Sequence, residues 1–268
     1  MFKKGLLSLF CLLQITACTS PAKYFADVAD SYGFYGFSIN SGQFEHQFYV
    51  NQAASQQQLV NQTLHVYLDG DGTPWQRQHW IADDPTSRNP LILALMQQDK
   101  NPALFLGRPC YHGFNQAASC NPKYWTSHRY SAAVVRSMVG ALKKALIKYP
   151  FKRLVLIGYS GGGTLAALMT PYFPEVKILV TVAANLDVAA WGDHHGYNTL
   201  TDSLNPAALP LLTQIPQLHL AGLEDTAVPA RIIEAYAQQQ VNARYLSFAH
   251  FDHFCCWVDE WPKILLLF

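Results

Sequence analysis

Charge is scarce in this chain. Only 14% of its 268 residues are Asp, Glu, Lys or Arg, and the formal net charge with neutral histidine is +1, whereas an average soluble domain is about a quarter charged. No basic run appears, which argues against nucleic acid as a partner. So weak a field steers charged ligands poorly and suits a neutral or mostly apolar small molecule. There is no internal repeat and no low-complexity linker, so the length fits one large α/β domain. Also missing is a helical His-x-x-x-His frame. A zinc reading of Asp193, His194, His195, His253 and Cys255 is disfavoured, because adjacent histidines rarely both bind one ion. The Gly-rich turn at Gly158–Gly163 is followed by Thr164, not Lys, which excludes a phosphate loop. Gly161-x-Gly163-x-x-Ala166 with Asp187 downstream imitates a dinucleotide fingerprint, but no early βαβ unit carries it. No metal or organic cofactor is expected.

What is present centres on Arg153–Met169. Leu154 to Ile157 is a short apolar run, suited to a strand buried on both faces. Thr164 to Met169 is small and apolar with good helix formers. Between them stands Gly158-x-Ser160-x-Gly162. A serine on a sharp strand-to-helix turn needs small residues two positions away on each side, because strand and helix nearly touch there. Its hydroxyl is then lifted above the sheet, beside the free N–H groups of the helix start.

The same alternation runs along the chain. Gly36–Ile39 and Phe44–Val50, joined by Asn40-Ser41-Gly42, read as an edge hairpin. Strands are expected at Leu64–Leu68, Ala103–Leu106, Val176–Val182, Gln217–Ala221 and Arg244–Phe248, with helices at Leu91–Gln98, Tyr130–Tyr149 and Ile232–Gln239 and one at the C-terminus. Strands alternating with helices predict a mostly parallel central sheet covered by helices on both faces. The polar and aromatic insertion from Ala184 to Gly196 is expected to form a small cap, and Gln56-Gln57-Gln58 a solvated turn. After Leu68 the chain runs into Asp69-Gly70-Asp71-Gly72-Thr73-Pro74-Trp75. A Gly-rich turn there lets backbone N–H groups approach a developing oxyanion. Asp-x-Asp-Gly also opens calcium loops, but the place of their final Glu is not acidic.

The N-terminus reads as a targeting segment. Lys3 and Lys4 precede the apolar run Gly5–Ile15, which is too short to span a bilayer. Ile15-Thr16-Ala17-Cys18 resembles a bacterial lipobox. That resemblance implies a signal peptide over residues 1–17, a mature chain over 18–268, and a membrane contact through lipidated Cys18. Thr19 is not the aspartate that retains many such lipoproteins at the inner membrane, which implies an outer-membrane anchor facing the periplasm. Cys110, Cys120, Cys255 and Cys256 then remain in a compartment that permits disulfides. A local Cys110–Cys120 staple is preferred over cross-links to the C-terminal pair, and the adjacent Cys255 and Cys256 are left open between a vicinal bond and one of them packing as a small hydrophobe.

A nucleophilic serine needs a base and an acid to orient it. Ser160 is followed by Gly222-x-x-Asp225-x-x-Val228-Pro229 after a strand, then by His253 after the last strand. In this order the chain resembles the α/β-hydrolase superfamily over nearly all of its mature length. Leu68-Asp69-Gly70-Asp71-Gly72-x-Pro74-Trp75, Arg108-Pro109-Cys110 and Phe251-Asp252-His253-x-Cys255-Cys256-Trp257 resemble a narrower bacterial group of hydrolase-like proteins whose substrate is unsettled. The resemblance implies Ser160 as nucleophile, His253 as base and Asp225 as its orienting acid. It implies the N–H groups of Gly161 and of Asp71, or Gly72, as oxyanion donors. His250 competes with His253, and Asp187 with Asp225. The chain departs from lipase-like members in lacking His-Gly-Gly-Gly. An inward-pointing Asp71 carboxylate would oppose anionic substrates and favour cationic or polar ones. The expected activity is hydrolysis of an ester, thioester or amide; the alternative is a non-catalytic envelope binding protein that keeps the fold.

Overall fold

Ten strands and seven helices alternate through the computed structural model, which describes residues 19–55, 62–77 and 79–268. The strands are β1 (Tyr35–Ser41), β2 (Phe44–Val50), β3 (Thr63–Leu68), β4 (Trp75–Gln76), β5 (Trp80–Ile81), β6 (Ala103–Leu106), β7 (Arg153–Tyr159), β8 (Val176–Val182), β9 (Gln217–Gly222) and β10 (Ala243–Phe248). The helices are α1 (Pro21–Ser31), α2 (Leu91–Gln98), α3 (Ala132–Lys148), α4 (Gly161–Met169), α5 (Val188–His195), α6 (Ala230–Gln239) and α7 (Trp257–Ile264). Eight strands form one sheet in the order β1-β2-β6-β3-β7-β8-β9-β10. The edge hairpin β1–β2 is antiparallel, as is β2 to β6, and every other pair is parallel. The tiny β4–β5 ribbon stands apart.

Both faces of the sheet are covered. On one, α3 and α4 bury Val134, Met138, Leu142 and Leu165 against Val66, Leu156 and Leu179. On the other, α1, α2 and α7 bury Phe25, Ile92, Trp257 and Trp261 against Tyr67, Phe105 and Ile157. Central strands sealed on both sides read as continuous apolar runs, and β7 is buried from Leu154 to Tyr159. α3 begins two residues later than the spacing predicts, because Ser131 caps it by accepting the Val134 N–H.

One expectation falls differently. The residues after Cys18, up to about Phe34, show no strong pattern in the sequence, which on its own suggests only a tether to the domain; Pro21–Ser31 is nonetheless helix. Ser20 caps it, Pro21 opens it, and Phe25 and Ala29, one turn apart, are fully buried. Two buried positions make too narrow a stripe to stand out by periodicity. The segment from Lys3 to Cys18 and the Gln56-Gln57-Gln58 turn lie outside the described residues. Among those that are described, no helix is long and apolar enough to cross a membrane. Cys110 is paired with Cys120, their Cα atoms 5.5 Å apart, and Cys255 with Cys256.

Candidate active site

The site lies where parallel strands end. β3 leads into the Asp69 turn, β7 into Ser160, β9 into Asp225, and β10 into the loop holding His253. That is the edge of an open α/β sheet where ligands are received.

Ser160 sits between β7 and α4 with φ 51° and ψ −126°. A non-glycine residue in this conformation costs on the order of 1–3 kcal/mol and persists only where its surroundings impose it. Here they do. The Ser160 N–H donates to the Val182 carbonyl at 2.9 Å, and the Ser160 carbonyl accepts from the Gly163 N–H at 2.9 Å. A side chain at Gly158 would strike the Gly162 carbonyl, and one at Gly162 would strike the carbonyls of Leu68 and Asp69. The spacing of these two glycines therefore follows from contact between strand, helix and the neighbouring turn.

His253 Nε2 lies 3.1 Å from Ser160 Oγ, and His253 Nδ1 lies 2.8 Å from Asp225 Oδ2. With Nδ1–H donating to the carboxylate, Nε2 is free to accept from the serine hydroxyl. Asp225 Oδ1 accepts the N–H groups of Ala227 and Val228, each at 2.8 Å, and the side chain is sealed from solvent. Tyr159 Oη donates to the His253 carbonyl at 3.0 Å, which fixes the loop from below. The competing residues are elsewhere. The His250 side chain is 90% exposed and faces Glu224. Asp187 caps α5, its carboxylate taken by the Ala190 N–H and Asn205 Nδ2. His195 and Trp191 both donate to or face the Ala227 carbonyl, at 2.9 and 2.8 Å, so the insertion carrying α5 packs on the loop of Asp225. Among the described residues no group of three or more His, Cys, Asp or Glu side chains is placed to hold a metal ion.

The Asp69 turn borders the nucleophile. A Cβ on Gly70 would meet Ser160 Cβ at 3.2 Å, and a Cβ on Gly161 would strike Asp71 Oδ1. Gly72 turns the other way, with φ 65° and its Cα packed toward the Pro85 carbonyl. Of the two residues expected to donate from this turn, Asp71 is the one whose side chain reaches Gly161, the neighbour of Ser160. Its carboxylate points inward, but its charge is not offered to a substrate. Arg108 Nη1 donates to Oδ1 at 2.7 Å; Arg129 Nη1 and Tyr130 Oη donate to Oδ2 at 2.8 and 2.7 Å. Burial pushes the Asp71 carboxyl up, but Arg129 and Arg108 outweigh it and bring it down to about 2. The expected bias toward cationic substrates is thus removed by neutralisation. Arg108 appears in a quoted motif, whereas nothing in the sequence points to Arg129 or Tyr130. They enter from 58 and 59 residues away.

Asp69 differs. Its Oδ1 accepts the Gly70 N–H at 2.9 Å, and burial pushes its carboxyl up to about 7 against the pull of that N–H and of Arg108. Ser160 is half-buried. Cavities of about 520 and 290 Å³ lie at Lys123–Leu204 and at Ala167–Tyr236, and neither has Ser160 in its wall.

No family model matches the chain, and no curated protein does. Solved structures do. Est1E from Butyrivibrio proteoclasticus superposes with a TM-score of 0.59 at 13% identity, over 87% of this chain and 98% of that one. The Pyrococcus furiosus esterase Pf2001 gives 0.63 at 14% identity, over 90% and 91%. The chain has the α/β-hydrolase fold. XC6422 from Xanthomonas campestris, described as a member of the α/β serine hydrolases without lid, gives 0.52 at 10% identity, over 82% and 86%.

Proposed function

We propose that this α/β-hydrolase-fold protein is a serine hydrolase acting on an ester, thioester or amide through an acyl-enzyme. The supporting observation is the continuous row Ser160 Oγ, His253, Asp225 at 3.1 and 2.8 Å. His253 Nε2 takes the hydroxyl proton as Ser160 Oγ attacks the carbonyl carbon. Asp225 keeps Nδ1 protonated, so Nε2 is the basic nitrogen, and steadies the imidazolium that forms. The carbonyl oxygen becomes an oxyanion, received by the N–H groups of Gly161 and Asp71. Collapse of the tetrahedral intermediate breaks the bond to the leaving group, which takes its proton from His253. Water, activated by the same imidazole, then attacks the acyl-serine and releases the acid.

Labelling with a fluorophosphonate probe tests this reading, followed by a panel of p-nitrophenyl esters of graded chain length. Wild type should be labelled and active, and Ser160→Ala neither. Labelling absent from wild type would favour a binding protein that keeps the fold. The second part of the proposal is placement in the bacterial envelope through lipidated Cys18, facing the periplasm from the outer membrane. It rests on Lys3, Lys4, the apolar run Gly5–Ile15 and Ile15-Thr16-Ala17-Cys18. Incorporation of an alkyne fatty acid in cells should be lost in Cys18→Ala; incorporation unchanged by that variant removes this part.

A further inference from the structure

We infer that Arg108, Arg129, Tyr111 and Tyr130 are positioning residues that hold the Asp71 peptide, through its own side chain and carbonyl, at the place where its N–H meets a substrate oxyanion. The inference deepens the serine-hydrolase reading and rests on it.

Every acceptor of Asp71 is engaged. Oδ1 is held by Arg108, Oδ2 by Arg129 and Tyr130, and the main-chain carbonyl by Tyr111 Oη at 2.9 Å. With carboxylate and carbonyl both fixed, the Asp71 Cα is held in place, which leaves its own N–H only rotation about φ, and no main-chain acceptor among the described residues takes that N–H. The carboxylate fills the space that Gly161 leaves by lacking a side chain. The two N–H groups assigned to the oxyanion are thereby registered against each other through one contact.

Stability is not the whole account of this arrangement. Arg108 is 2% exposed, and its Nε and Nη2 have no hydrogen-bond partner among the described residues. Buried donors left unmade are costly, and buried ion clusters can often be replaced by apolar side chains without loss. The guanidinium is instead enclosed by rings, with Cζ 5.5 Å from the Tyr111 centroid and 5.4 Å from that of Tyr130. Two guanidiniums face the Asp71 carboxylate, so with Asp69 protonated the cluster carries one net positive charge. A fixed cation in a water-poor setting favours negative charge that develops only in the transition state.

The test compares Asp71→Asn, Arg129→Met and Arg129→Lys in the full chain, on an activated ester and on a boronic acid that forms a tetrahedral adduct. In Asp71→Asn and Arg129→Met, kcat should fall about 10- to 100-fold, somewhat less than removal of a direct oxyanion donor. KM should move less than about threefold, and affinity for the tetrahedral adduct should fall in step with kcat. Arg129→Lys, which keeps the charge, should recover part of the loss. Cooperative thermal melting identifies folded variants. Folded variants with kcat and adduct affinity within about twofold of wild type overturn the inference and leave the hydrolase reading standing. A wild type that is neither labelled by fluorophosphonate nor active overturns both.

Discussion

Two carboxylates flank Ser160 and are secured by opposite means. Asp225 is held by N–H groups two and three residues along its own loop, and it hands one oxygen to His253. Asp71 is held by side chains 37, 58 and 59 residues away, with no main-chain donor among them. A locally held carboxylate can be read from a short pattern. One held from a distance depends on the fold bringing the β6 loop and the start of α3 over the β3 turn.

The comparison breaks most visibly on the Asp225 side. Asp225→Asn and His253→Ala should each lower kcat by about 10³- to 10⁴-fold on an activated ester, far more than any change at Asp71, with thermal melting still cooperative. Equal losses at Asp225 and Asp71 would erase the distinction between orienting the base and placing the oxyanion donor.

A smaller, opposed pair of effects separates Asp71 from Asp69 on the same turn. The Asp71 carboxyl is lowered to about 2, so its contribution to stability is present above the ordinary Asp value and is lost as pH falls toward 2. The Asp69 carboxyl is raised to about 7, chiefly by burial, so its contribution is full below the ordinary value and is lost as pH rises through 7. Melting temperatures measured from pH 2.5 to 8.5 should show the advantage of wild type over Asp71→Asn shrinking below pH 4. Asp69→Asn should gain on wild type as pH rises from 4 to 8. Parallel curves for Asp69→Asn and wild type would mean that the carboxylate is charged in the folded protein throughout.

The smallest effect is expected at the competing histidine. His250 faces Glu224 at the surface, and His250→Ala should leave kcat/KM within about twofold; a hundredfold loss would return the base assignment to it.

Much of this was legible in the sequence because it is local. Strand runs such as Ala103–Leu106 and Val176–Val182 coincide with β6 and β8 end to end. The Gly158-x-Ser160-x-Gly162 turn has its glycines where strand, helix and the β3 turn make contact. The sequence order Ser160, Asp225, His253 matches the row that the fold brings together. What escaped was non-local or faint. α1 buries only Phe25 and Ala29, and its cap and opening proline are single-residue signals. Arg129 and Tyr130 stand just before α3, Tyr130 at the start of the helix expected from spacing, and neither lies in a motif, yet burial and Asp71 give them their place.

The helix at the chain's start carries a consequence for geometry at a bilayer. With acyl chains on Cys18, only Thr19 and Ser20 separate the lipid from Pro21, at most about 7 Å of extended backbone. α1 is itself bonded into the body, its Ala22 N–H donating to Asp84 at 3.0 Å, just past the exposed Trp80 and Ile81 of the β4–β5 ribbon. So short a leash, if Cys18 carries lipid as proposed, would deny the protein free rotation. It would present one fixed side to the headgroups, and that side would carry the ribbon whose first strand opens four residues after Asp71.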